Sequence, residues 1–151
     1  MLRVVFLMSM WLGAIVLIPS GAHLLEMPNK LLMDSTSYFM AQQMYVGWAL
    51  FGVPVLVKIL LDGALAVRLR HSHRAAACGA LISAVSIAAG MVVFFLFVRP
   101  ANLATANWGI QPENWQALRD NWEYGHMTMA LLSLLAFCAI SYSATKIPWQ
   151  D

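Results

Sequence analysis

Charge is the first thing this chain lacks. Only 11% of its 151 residues are Asp, Glu, Lys or Arg, less than half the roughly 25% of a soluble domain. That shortage excludes an ordinary water-soluble fold. Alternation is missing too: the apolar runs are not broken every second residue by polar ones, and a transmembrane barrel strand needs that pattern over about ten residues. Cysteine is nearly absent. Cys78 and Cys138 cannot form a disulfide framework, and their different depths in two apolar segments make them expected buried, inert thiols. A net charge of +2 is a membrane-anchoring bias and no nucleic-acid footprint.

Apolar residues fill the space that charge leaves, at 61% of the chain. Runs of about 20 apolar residues are membrane-spanning helices, and the sequence contains four, at about 4–27, 38–67, 75–98 and 115–145. The fold class expected is therefore all-α, an up-down bundle of four transmembrane helices that uses the whole chain as one domain. Arg3, the cluster Arg68, Arg70 and Arg74, and Lys146 fall on one side; Lys30, Arg99 and Arg119 fall on the other, beside acidic residues. Positive charge on short loops marks the cytoplasmic face. The protein is read as a multi-pass inner-membrane protein with both termini in the cytoplasm. His71 and His73 belong to the inner basic turn.

Three local features shape the bundle. Ala76, Ala80, Ala84 and Ala88, with Gly79, Ser83, Ser86 and Gly90 beside them, form small-residue stripes that let helix backbones approach closely. Pro54 is expected to kink the second span and Pro19 the first. Lys58 and Asp62, at i and i+4, are expected to pair and snorkel near the inner interface.

Two mirrored motifs remain. "GAHLLEMP" places Glu26 three residues after His23, while "EYGHMTMA" places Glu123 three residues before His126. His23 lies twenty residues beyond Arg3, and His126 twenty residues before Lys146, so both stand about 30 Å above the inner charges. Antiparallel helices then need opposite motif orders to bring a histidine layer and a carboxylate layer into register. Helices one and four adjoin in such a bundle, and all four side chains are expected to face one cavity in the outer leaflet.

Polar clusters at this depth are expensive and point to function, although a structural network of the same groups is the alternative. His23, Glu26, Glu123 and His126 form a first shell suited to a mononuclear transition metal. A dinuclear carboxylate centre would need further glutamates on the other helices; a bis-histidine haem is the weaker reading. Without a metal, His126 or His23 would serve as a general base, and Arg119 would hold an oxyanion. Trp122, Tyr45, Tyr38, Gln42 and Asn102 reach the same level and would line the site of a lipophilic aromatic compound.

"GAHLLEMPNK", "YFMAQQMYVGWALFG", "RPANLATANW" and "NWQALRDNWEYGH" together resemble a bacterial family of small four-helix membrane proteins grouped with the anthrone oxygenases. The resemblance covers nearly the whole chain. It implies oxidative chemistry on an aromatic, lipid-soluble or quinone-like substrate, with Trp122, His126 and Asn102 carried over as functional positions. A non-enzymatic membrane subunit or small-molecule-binding protein is the other reading, with a homo-oligomer or a larger membrane complex as its setting.

Overall fold

The computed structural model describes residues 2–149, and every regular element among them is helical. Four spans are long and apolar enough to cross a membrane: Leu2–Lys30, Trp48–Leu69, Arg74–Ala104 and Trp115–Thr145. Only 22–33% of each apolar stretch is buried inside the protein, so most of its apolar surface faces outward, as a bilayer requires and water forbids. The chain is a multi-pass membrane protein.

Helix α1 is Leu2–Lys30, α2 is the short Ser35–Gln42, α3 is Gly52–Leu69 and α4 is Arg74–Val93. A π-helical turn, Phe94–Val98, carries α4 into the short α5, Arg99–Ala104, and α6 is Trp115–Thr145. Helix α1 packs on α3 and α6, and α4 packs on the same two, giving a closed ring in which α1 and α6 are neighbours. One end of the bundle carries Arg68, Arg70 and Arg74; the other carries His23 and His126.

The second span differs from the single helix expected at 38–67. Residues Gln43–Tyr45 and Trp48–Phe51 form two 3₁₀ turns, and Gly47 between them has φ 89°. That left-handed angle suits glycine and breaks the helix. Pro54 consequently lies in the first turn of α3, where its missing N–H costs nothing, and does not kink a mid-span helix. Helix α1 continues through Pro19.

The small-residue stripe of α4 meets α6. A Cβ on Gly79 would lie 2.8 Å from the Ala139 carbonyl oxygen and 2.9 Å from Ser143 Cβ. The Ser143 hydroxyl donates to the Ala76 carbonyl at 2.5 Å. Close backbone approach is thus fixed by residues too small to prevent it. Cys78 and Cys138 are exposed on the outward surface, not buried as expected. Both line a shallow apolar groove of about 440 Å³ beside this contact.

Lys58 and Asp62 also depart from expectation. Neither snorkels; both are fully buried. Lys58 Nζ lies 2.7 Å from Asp62 Oδ2, which also accepts from the Ser83 hydroxyl at 2.6 Å. The Ser9 hydroxyl donates to the other carboxylate oxygen. Gly13 lies against this pair: a Cβ there would sit 3.0 Å from Phe137 Cδ2 and 3.4 Å from Lys58 Cε. Asp62 therefore ties α1, α3 and α4 together, and both its carboxylate oxygens accept from those donors.

Candidate functional site at the histidine end

Lys30 organises the site. It lies on α1 one turn beyond Glu26 and two turns beyond His23, on the same face. Its side chain is 3% exposed. Lys30 Nζ is 2.9 Å from Glu123 Oε1, 3.9 Å from Glu26 Oε2 and within 3.2 Å of the Tyr45 hydroxyl. It also stands over the rings of Trp122 and Tyr45, at 4.5 and 4.8 Å. Expected on the outer rim among the charges that mark that side, this lysine is instead buried between the two carboxylates. Its i, i+4 and i, i+7 spacing from Glu26 and His23 was the available signal.

The two histidines meet as their equal depth requires. Their ring centroids are 4.2 Å apart with a 38° tilt. His23 also touches Tyr45, Trp48 and Trp122, at centroid distances of 4.5, 5.4 and 4.9 Å, and Trp122 lies 4.1 Å from His126. His23 is 5% exposed, and its Nδ1 has no hydrogen-bond partner. Rings from α6 and from the segment between α2 and α3 thus surround His23.

Glu123 is fully buried. Tyr38 donates to its Oε1 at 2.9 Å, beside Lys30, while Oε2 is unpartnered. Tyr45 donates to Glu26, whose side chain is 43% exposed. Both polar atoms of the Gln42 carboxamide are buried and unpartnered. Burial, reinforced by Glu123, pushes the Tyr38 phenol far above its ordinary range. Burial and the hydrogen bond to Glu26 do the same to Tyr45. Both phenols therefore remain protonated donors near neutral pH.

Arg119, expected to hold an oxyanion, is engaged with its neighbours on α6. Its Nε pairs with Asp120 at 3.0 Å and its guanidinium stacks near Trp115, 5.2 Å from the ring centre. The cation beside Glu123 is Lys30, which enters from the adjoining helix. Asn102 is an acceptor for two indoles, Trp108 Nε1 at 3.0 Å and Trp122 Nε1 at 2.9 Å. It orients Trp122 and has its carbonyl oxygen occupied.

Trp108 reaches this cluster by an unusual turn. Ala106, Asn107 and Trp108 have φ of 49°, 54° and 64°, each costing roughly 1–2 kcal/mol outside glycine. Thr105 offsets that cost: its hydroxyl accepts from Trp108 N at 3.0 Å, and its carbonyl accepts from Gly109 and Ile110. Gln43 donates to the Trp108 carbonyl at 3.2 Å, so the turn is fastened to the segment following α2.

These distances give the metal expectation no support. Among the described residues, no three His, Cys, Asp or Glu side chains converge in ligating geometry. The Lys30 ammonium stands between Glu26 and Glu123, and a cation already neutralising both carboxylates does not fit a shared metal. The haem reading fails on distance. Imidazoles on opposite faces of one iron stand about 6 Å apart between centroids, given metal–nitrogen bonds near 2.0 Å, whereas these are 4.2 Å apart.

What the arrangement offers is an imidazole pair in an aromatic shell, next to a buried ion pair with spare acceptor capacity. Such a site can hold a flat apolar molecule and exchange a proton with it. Compared with known proteins, the chain matches no family model, no curated protein and no solved structure.

Proposed function

We propose that the histidine end lies in the outer leaflet of the inner membrane, both termini being cytoplasmic. There the site binds a lipophilic aromatic or quinone-like compound. His23 or His126 takes a proton from its hydroxyl or activated carbon, making the ring electron-rich. The resemblance to the anthrone oxygenase-like family supports an oxidoreductase with dioxygen as the oxidant. The observation that carries the reading is the contact of His23 with His126, Trp122, Tyr45 and Trp48 while its buried Nδ1 has no partner. A base kept from water and ringed by aromatic faces is suited to an aromatic acid.

A second reading, a non-enzymatic binding protein or membrane subunit, is favoured by the occupied Asn102 carbonyl and the Tyr38–Glu123–Lys30 bonds. These clamp helices whatever else happens at the site.

The test uses the purified protein in lipid nanodiscs. Fluorescence titration with 1-naphthol measures aromatic binding, and an oxygen electrode measures consumption with anthrone. Saturable binding with oxygen uptake supports the oxidoreductase. Binding without uptake selects the second reading, and no saturable binding overturns the aromatic site.

A further inference from the structure

The connection from α3 to α4 reads "RLRHSHR" over residues 68–74 and carries three arginines. It is a tight turn, in which Ser72 and His73 both donate backbone N–H groups to the Leu69 carbonyl, at 3.2 and 2.8 Å. Arg70, just past the end of α3, and Arg74, the first residue of α4, therefore both stand at the head of the seam between these helices. Along that seam runs a groove of about 350 Å³, which Arg70 and Arg74 line together with Ala66 and Val67 of α3 and Ala77 and Leu81 of α4. Its floor is shallow because the buried residues are alanines, Ala66 and Ala77, while Val67 and Leu81 are exposed at its edges. Arg68 belongs to the same turn but does not line the groove.

The protein supplies these two arginines with no counter-charge. Between Asp34 and Glu113 the sequence holds a single carboxylate, Asp62, which is committed to Lys58, Ser9 and Ser83 inside the bundle. Among the described residues no ion pair involves Arg70 or Arg74. Arg70 donates its Nε to His71 at 2.9 Å, which leaves both terminal nitrogens of its guanidinium able to donate elsewhere. Guanidinium forks match the oxygens of a phosphate, and basic pockets between transmembrane helices hold anionic headgroups. In a bilayer, what lies against the outward apolar walls below is an acyl chain.

We propose that the α3–α4 seam binds an anionic phospholipid, its phosphodiester on Arg70 and Arg74 and one acyl chain in the groove beneath. Two unpaired cations select a headgroup of net negative charge; a zwitterionic headgroup carries its own ammonium, which they repel. The seam lies at the end of the bundle opposite the histidines, and its ligand is independent of the chemistry there.

The protein in detergent micelles is titrated with dioleoylphosphatidylglycerol or dioleoylphosphatidylcholine, and native mass spectrometry reads the affinity for the first lipid bound. The two lipids share chains and phosphate and differ in net charge. Wild type should prefer phosphatidylglycerol, and Arg70→Gln and Arg74→Gln should lower that affinity about fivefold each and roughly 30-fold together. Arg68→Gln removes the same charge away from the groove and should leave it unchanged. Leu81→Trp keeps both arginines and fills the groove with an indole, so it should weaken binding as well. All four positions are exposed, so none of these changes opens a cavity in the core. Equal affinity of the wild type for the two lipids overturns the site, and so does a loss in Arg68→Gln as large as in Arg74→Gln, which would assign the preference to diffuse charge. Undiminished binding in Leu81→Trp would take the acyl chain out of the groove, and displacement of the lipid by inorganic phosphate would make a soluble anion the occupant; either result overturns the assignment to a phospholipid.

Discussion

Lys30 and Glu123 face each other at 2.9 Å with side-chain exposures of 3% and 0%, and they come from α1 and α6. Two charges removed from water repay their desolvation only while paired, so removing one strands the other at a cost of about 3–5 kcal/mol. Lys30→Met should therefore destabilise the bundle by about that amount. Adding Glu123→Gln to it removes the stranded charge and should recover most of the loss. Thermal unfolding in detergent micelles, followed by tryptophan fluorescence, measures both. A double variant no more stable than Lys30→Met would show that the pair is not what holds α1 to α6 here.

Gly79 marks the closest approach of α4 to α6. A side chain there would run into the Ala139 carbonyl and Ser143, both within 3 Å of an added Cβ. Backbone cannot swing aside as a flexible side chain can, so Gly79→Leu should force the helices apart and cost about 1–3 kcal/mol. Gly21, whose added Cβ meets nothing within 4 Å, provides the control: Gly21→Ala should leave the melting temperature unchanged or raised.

How much of this was legible beforehand depends on the range of the signal. The number of spans came from apolar run length, a property of single segments. His23 and His126 could be brought together because depth in a membrane is one coordinate, measurable along each helix from the charges at its end. Lys30 was misplaced because hydropathy assigns a lysine at a helix end to the rim; its burial depends on a carboxylate from α6 that no local pattern reveals. Arg119 is the complementary case. It shares a helix face with Glu123 by spacing, yet Asp120 next to it offers a partner at the surface. The break at Gly47 was readable in part, since a glycine shortly before a proline is a poor helix centre, but the apolar run concealed it. The left-handed turn at Ala106–Trp108 carried no signal beyond Asn107 and Gly109, because Thr105 stabilises it only after the chain has closed.

The N-terminus of α2 has its own acid response. Asp34 accepts from the Ser37 backbone N–H at 2.9 Å and from the Ser37 hydroxyl at 3.0 Å. The backbone hydrogen bond leads in holding its carboxyl below the ordinary 3.8. A depressed carboxylate contributes stability in full above its unfolded value and loses it as pH falls through the folded one. The cap should thus be intact at pH 5 and fail only below pH 3.8. NMR shifts of the Ser37 amide against pH would follow it, and Asp34→Asn should keep the cap while abolishing that titration. A Ser37 shift that titrates unchanged in the variant would assign the transition to another group.

His126→Gln separates a chemical role from a clamp. Glutamine retains a donor and an acceptor of similar reach, so a residue that merely bonds its neighbours should tolerate the change for about 1 kcal/mol. Its imidazole, however, lies 4.2 Å from that of His23 and 4.1 Å from Trp122, with no hydrogen bond of its own to lose. The bundle should accordingly melt within a few degrees of the wild type. Glutamine can neither accept a proton near neutral pH nor present a ring to an aromatic ligand, so 1-naphthol binding should fall at least tenfold, about 1.4 kcal/mol of affinity. Both quantities are measured on one nanodisc preparation. A large drop in melting temperature with binding intact would identify His126 as packing, and the paired imidazoles would then have to be assigned a structural role.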